Sequence, residues 1–139
     1  MLRLNLINSF RFHHIGYAVK DIETTAGYYV NAGWSISDIQ IDEIQNSKIA
    51  FLEKQGMPPI ELVAPVNENS PIINTLNKNN GSTIYHVCYE VDNIDSAVAE
   101  LRKMKYIILF NPVEATALNN RKICYLFNKD VGLIEVVEK

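Results

Sequence analysis

Cysteine is scarce in this chain: the 139 residues hold two, Cys88 and Cys124, with no Cys-x-x-Cys pair. That excludes a disulfide scaffold and a thiolate zinc site, and reads as two buried thiols in a reducing cytoplasm. No apolar run approaches the roughly 20 residues that a membrane helix needs. The opening MLRLNLINSF is interrupted by Asn5 and Asn8 and shows no small-residue cleavage site, so it does not read as a secretory signal. Positive charge is also short. Lys and Arg number 13 against 16 Asp and Glu, a net charge of −3 with neither a basic nor an acidic tail. Phosphate binding needs a basic face, so the balance argues against nucleic acid as the main partner. What remains is 47% hydrophobic and 21% charged, the make-up of a globular domain that buries roughly two thirds of its unfolded surface.

Strand and helix periods alternate along the chain. Phe12 to Val19 alternates as a strand, and Asp21 is placed to cap a helix from Ile22 to Asn31. Trp34 to Ile44 reads as a strand-like meander, Ser47 to Glu53 as a strand, Gly56, Pro58 and Pro59 as a turn, and Ile60 to Ala64 as another strand. Ser70-Pro71 reads as a cap and first-turn proline for a short helix through Ile72, Ile73 and Leu76 that ends at Asn79-Asn80-Gly81. Then the pattern restarts. Ile84 to Val91 is a strand, and Asp92 or Asn93 caps a helix with Ala97, Val98, Leu101 and Met104 on its apolar face. Tyr106 to Phe110 follows as a strand and Asn111 to Asn120 as a loop, and the strands Lys122 to Phe127 and Leu133 to Val137 flank a turn at Asp130 and Gly132.

The expected class is therefore α+β, built from two βαβββ modules over residues 12–66 and 84–138. Residue matching supports a duplication. HHIGYAVKDIE from His13 lies over YHVCYEVDNID from Tyr85, which sets His14 on His86, Tyr17 on Tyr89, Val19 on Val91 and Ile22 on Ile94. KIAFLEKQGMPPIELV from Lys48 lies without a gap over KICYLFNKDVGLIEVV from Lys122, which sets Glu61 on Glu135. The two offsets are 72 and 74 residues, and the difference fits into the connecting loops.

The duplicated polar residues are His14, Glu61, His86 and Glu135. Side chains alternate faces along a strand. His14 then shares a face with Gly16 and Ala18, and His86 with Cys88 and Glu90. Each glutamate points away from the apolar residues on either side of it, on a strand that reads as interior. An unpaired interior carboxylate is costly, so each needs a partner. Two imidazoles and two carboxylates meeting about a pseudo-twofold axis are satisfied together by one divalent cation. Such a nitrogen and oxygen set with open positions suits Zn, Ni, Co, Mn or Fe. His13 is expected on the face opposite His14, with Tyr85 in its place in the second half. Cys88 answers to Gly16 and is expected to pack, as are Tyr17, Tyr28, Tyr29 and Tyr89.

With these motifs, and with IELVAP followed by SPI and the closing LIEVVE, the chain resembles the vicinal oxygen chelate superfamily over about Phe12 to Glu138. That superfamily includes glyoxalase I, methylmalonyl-CoA epimerases, extradiol dioxygenases and antibiotic-resistance proteins. The His-Ile-Gly-x-Ala-Val opening and the Ser-Pro-Ile before a short helix are most similar to the epimerases and to small bacterial glyoxalase-like proteins. The resemblance implies a glyoxalase-like fold, in which the paired modules form a curved mixed sheet around a metal-binding cleft, and it favours a homodimer. It carries the ligand positions onto His14, Glu61, His86 and Glu135, the set that glyoxalase I uses; some epimerases have Gln at the second place.

Two departures bear on the activity. Epimerases carry an additional acidic base on the strand before the second ligand, and Ile49 stands there. The loop EATALNNRK lacks the glycine-rich segment usual before the strand that begins at Lys122. The expected chemistry is metal-dependent proton transfer at a carbon next to a carbonyl, of glyoxalase I or acyl-CoA epimerase type. Glu135 is the first candidate for base and Glu61 its symmetric partner. Arg121 and Lys122 are candidates for holding a phosphate or a CoA tail, and the expected substrate is a thioester, a hemithioacetal or a similar small molecule. Two alternatives stand beside this. An iron extradiol dioxygenase uses two histidines and one carboxylate, and a fourth ligand at Glu61 counts against it. A non-catalytic drug-binding protein of the same superfamily generally lacks the full ligand set.

Overall fold

The computed structural model describes residues 9–139, so most of the opening segment MLRLNLINSF lies outside the described residues. Strand β1 (Arg11–Ala18) leads into helix α1 (Ile22–Asn31), and the short strands β2 (Ser35–Ile36) and β3 (Gln40–Asp42) precede β4 (Ser47–Glu53) and β5 (Ile60–Pro65). Helix α2 (Ile72–Lys78) bridges to the second half. There β6 (Thr83–Val91), α3 (Ile94–Lys103), β7 (Ile107–Ile108), β8 (Val113–Ala115), a 3-10 turn (Thr116–Leu118), β9 (Arg121–Asn128) and β10 (Gly132–Glu138) follow.

All ten strands join one mixed sheet in the order β2-β4-β5-β1-β6-β10-β9-β7, with β3 on β4 and β8 on β9. Outward from the central antiparallel pair β1–β6, both halves read alike. Each central strand has a parallel neighbour, β5 or β10. Each of these has an antiparallel neighbour, β4 or β9, which carries two short strands.

The helices close alike as well. The Asp21 carboxylate accepts the Thr24 N–H at 2.9 Å and the Asn93 side chain accepts that of Ser96 at 2.9 Å, so Asn93 is the cap in the second half. Such a cap contributes about 1 kcal/mol. At the other end Trp34 N–H returns to the Tyr29 carbonyl and Tyr106 N–H to that of Leu101, through Gly33 at φ 94° and Lys105 at φ 71°. That is the left-handed helix stop usually given to glycine.

One face of the sheet packs on the helices. Val19, Ile22, Leu52, Ile60 and Leu62 form the core under α1, and Ile94, Leu101, Leu126, Ile134 and Val136 the core under α3. Each such large side chain contributes roughly 1.5–3 kcal/mol of apolar burial. The opposite face is the cleft, where Ala18, Ile49 and Val63 meet Ile72 and Leu76 of α2, and Cys88, Ile123 and Val137 meet Ala115 and Leu118.

Several local expectations are corrected. The Trp34 to Ile44 meander is two short strands, and the Asn111 to Asn120 loop contains β8 and the 3-10 turn. Ser70 does not cap α2. Its buried hydroxyl accepts the N–H groups of Val66 at 2.8 Å and Asn67 at 3.2 Å, and so closes the loop before the helix. Tyr28 is exposed, because it lies on the solvent side of α1, whereas Tyr17 and Tyr29 pack with Trp34. The missing glycines before β9 are replaced by Asn119 at φ 58° and Asn120 at φ 60°. Asparagine tolerates the left-handed region better than other side chains. Asn46, at φ 50° before β4, occupies the place in the first half that Asn120 holds in the second.

Candidate metal centre

His14, Glu61, His86 and Glu135 come from the four innermost strands and project into the cleft, all buried. Their positions follow from register. Gly16 pairs with Glu61 across β1–β5 and with His86 across β1–β6, and Glu135 pairs with Cys88 across β10–β6. His14 Nε2 lies 3.4 Å from Glu61 Oε1, 3.1 Å from Glu135 Oε1 and 3.2 Å from His86 Nε2. His86 Nε2 lies 3.3 Å and 3.0 Å from the same two oxygens. Aromatic rings at matched places hold the imidazoles edge-on: Phe51 against His14 at 5.3 Å and Tyr125 against His86 at 5.2 Å.

The donor set and spacing fit a cation. Atoms bound ~2.1 Å from a common centre lie ~3.0 Å apart at octahedral edges and ~3.4 Å apart at tetrahedral ones. The observed separations span 3.0 to 3.4 Å. Glu61 Oε1 and Glu135 Oε1 are buried with no hydrogen-bond partner of acceptable geometry among the described residues. Buried carboxylate oxygens left in that state are strongly disfavoured. These four residues can therefore hold a metal ion. They also polarise one another. Burial opposes charge on His14, but the Glu61 charge and the contacts with Glu135 outweigh it and push the imidazole up to about 10. His86 is raised for the same reasons. Burial alone would raise Glu61, but His14 holds it below the ordinary carboxylate range. Glu135 is raised by burial and by Glu61 but lowered further by His14 and His86.

Two cavities are lined by residues that touch the two imidazoles, Tyr85 and Tyr125 in one and His13 and Phe51 in the other, and by none of the four cluster residues themselves. One, of about 610 Å³, is chiefly apolar, with Ile44, Ile72, Phe110, Val113, Tyr85 and Tyr125 in its wall. The other, of about 470 Å³, is mixed, with His13, Asp38, Gln40, Glu53 and Arg121 alongside Phe51 and Leu118 in its wall. Ile49 lies between them and contributes to both walls. Arg121 reaches the mixed cavity but is already engaged: its guanidinium donates to the Glu138 carbonyl at 2.7 Å and pairs with Glu90. Lys122 is exposed on the helix-facing side of β9 with Cys124 and Leu126, and lines neither cavity. Cys88 is buried in the cleft-side core, and burial and the two carboxylates push its thiol well up.

The expectation for His13 is overturned. It is half-buried on the cleft side, and its Nδ1 lies 2.8 Å from Nδ1 of His14. Strict alternation fails because β1 shifts register between Phe12 and His14. The adjacent His-His pair was the signal for it, but only the bulge turns both rings to one side.

The sequence profile of the Glyoxalase/Bleomycin resistance protein/Dioxygenase superfamily matches residues 13–125. Methylmalonyl-CoA epimerase, mitochondrial, of Homo sapiens is 33% identical over 126 residues, covering 90% of this chain and 70% of that protein. Ethylmalonyl-CoA/methylmalonyl-CoA epimerase of Cereibacter sphaeroides is 30% identical over 121 residues, 86% of this chain and 90% of its own. The crystal structure of methylmalonyl-CoA epimerase from Mycobacterium tuberculosis superposes with a TM-score of 0.83 at 29% identity, over 99% of this chain and 92% of that one.

Proposed function

This chain belongs to the Glyoxalase/Bleomycin resistance protein/Dioxygenase superfamily, and on that premise we propose that it is a divalent-metal-dependent acyl-CoA epimerase acting on a 2-alkylmalonyl thioester. The observation that carries the reading is the convergence of His14 Nε2 and His86 Nε2 on Glu61 Oε1 and Glu135 Oε1 at 3.0–3.4 Å, with no hydrogen bond closing either carboxylate oxygen among the described residues. In this reading these side chains hold one ion of Zn, Ni, Co, Mn or Fe, which supplies Lewis acidity toward a carbonyl oxygen when bound.

The chain's own task is proton transfer at the carbon next to that carbonyl. Glu135 removes the proton; Glu61, its mate across the pseudo-twofold axis, takes a proton from solvent and delivers it to the opposite side of the carbon, and Glu135 then releases its proton to solvent. A positioned carboxylate contributes roughly 10²–10⁴ to the rate. Ile49, buried where the resemblance places a further acid of the epimerases, offers no proton, and this reading assigns the acid and base roles to the two glutamates rather than to Glu43 or Glu53, which a register shift would be needed to bring there. Phe51, Tyr85 and Tyr125 pack edge-on against the two imidazoles and give the site an apolar rim. The working unit is read as a homodimer in the cytoplasm, and sedimentation that returned a monomer would remove the first of these.

The test is to incubate zinc-, cobalt- or nickel-loaded protein with methylmalonyl-CoA in D₂O. Deuterium at C2 together with interconversion of the epimers is expected. A second reading, glyoxalase-type isomerisation, is favoured by one observation, the full His-Glu-His-Glu set. Conversion of a glutathione hemithioacetal with no exchange into methylmalonyl-CoA would replace the first reading by the second.

A further inference from the structure

The cleft holds a third imidazole that the four-residue cluster does not use. Strand β1 pairs Phe12 with Tyr89 and then His14 with Cys88, so His13 is an extra residue on its strand. Strand β6 pairs His86 with Gly16 and then Ile84 with Tyr17, so Tyr85 is the extra residue there. His13 and Tyr85 hold matched places in the duplication, 72 residues apart. A one-residue bulge re-aims the side chain it carries. Each half thus turns the residue before its histidine toward the cleft, but the two residues differ in chemistry.

The consequence falls on the nitrogens that face away from the cluster. Nδ1 of His14 meets Nδ1 of His13 at 2.8 Å. Nδ1 of His86 is buried with no hydrogen-bond partner among the described residues, and its neighbour Tyr85 presents only a perpendicular ring at 4.5 Å. Two ring nitrogens at hydrogen-bond distance share one proton, because two lone pairs or two N–H groups would repel. A lone pair on Nε2 of His14, aimed at the shared centre, requires that ring's proton to sit on Nδ1 and to be donated to His13. The remaining proton of His13 then sits on its Nε2.

We propose that His13 is a positioning residue: it accepts the Nδ1–H of His14, fixes that ring's tautomer and angle, and makes His14 the anchored nitrogen of the site while His86 is held by packing alone. The inference rests on His14 being an ion ligand. Hydrogen-bonded partners of metal-binding imidazoles generally set ligand basicity and orientation in this way, and losing one weakens metal affinity about 10–100-fold.

Two measurements test it. Chelator-competition titration with Zn²⁺ is run on the wild type, on His13→Phe, which keeps a ring but has no acceptor, and on His13→Asn, which keeps an acceptor oxygen. Zinc affinity is expected to fall about 10–100-fold in the phenylalanine variant and only a few-fold in the asparagine variant. Long-range ¹⁵N correlation on the zinc-loaded wild type reads the tautomers directly, independently of whether either variant folds. His14 is expected protonated at Nδ1, and His13 unprotonated at Nδ1 and protonated at Nε2. Undiminished zinc binding by His13→Phe, or a proton on Nδ1 of His13, overturns the inference and leaves the ion reading intact. A wild type that binds no zinc, cobalt or nickel overturns the ion reading itself, and this inference with it.

Discussion

The His86 ring occupies the space where a side chain at Gly16 would project. A Cβ built there stands 2.0 Å from Cε1, 2.3 Å from Nδ1 and 2.4 Å from Nε2 of His86. Carbon contacts settle near 3.5–4.0 Å, so in Gly16→Ala the ring must retreat by more than ~1 Å. Its retreat is constrained by Tyr85 at 4.5 Å and Tyr125 at 5.2 Å. Metal–ligand distances tolerate about ±0.2 Å, so a shift of that size takes Nε2 out of a shared coordination sphere. Losing one of four ligands is expected to weaken zinc binding at least ~100-fold, about 2.7 kcal/mol. Backbone strain is not the cause, because Gly16 lies outside the left-handed region. Alanine at a site it fitted would even stabilise the chain by about 0.4–1 kcal/mol through the unfolded state. Chelator competition reads the affinity and far-UV circular dichroism confirms folding. A folded Gly16→Ala protein with wild-type zinc affinity would refute the reasoning.

Further outcomes follow from single contacts. Glu135→Gln keeps the shape of the side chain but cannot take a proton, so it is expected to retain part of its metal while deuterium exchange at C2 falls at least ~10²-fold; full exchange in that variant removes Glu135 as base. Ser70→Ala strands two backbone N–H groups that the hydroxyl now accepts, and is expected to destabilise by about 1–2 kcal/mol, lowering the melting temperature by roughly 3–8 °C in a calorimetric scan. Lys105→Gly relieves a left-handed backbone that costs a side chain about 1–2 kcal/mol, against about 0.4–1 kcal/mol of added unfolded-state freedom, so urea unfolding should show a gain of up to ~1.6 kcal/mol.

The quartet was legible in the sequence because duplication repeats what alternation alone leaves ambiguous. One histidine on a strand says little, but His14 and His86 at one offset and Glu61 and Glu135 at nearly the same offset mark a shared centre. The apolar faces under α1 and α3 were legible for the ordinary reason that Leu62 and Val136 alternate with the glutamates. His13 was misread because a bulge is a property of two paired strands, and the pattern of one strand carries no sign of it. The 3-10 turn before β9 was missed because Asn119 and Asn120 do the work of glycines there. Ser70 was misread because its hydroxyl can close the preceding loop or cap α2, and only the path of residues 66–70 decides between them.

Anomalous diffraction from crystals of the protein grown with Co²⁺ tests the central claim most directly. A single peak within ~2.0–2.2 Å of His14 Nε2, His86 Nε2 and one oxygen each of Glu61 and Glu135 is expected. A peak elsewhere, or those four side chains hydrogen-bonded to one another with no ion between them in excess cobalt, would contradict it.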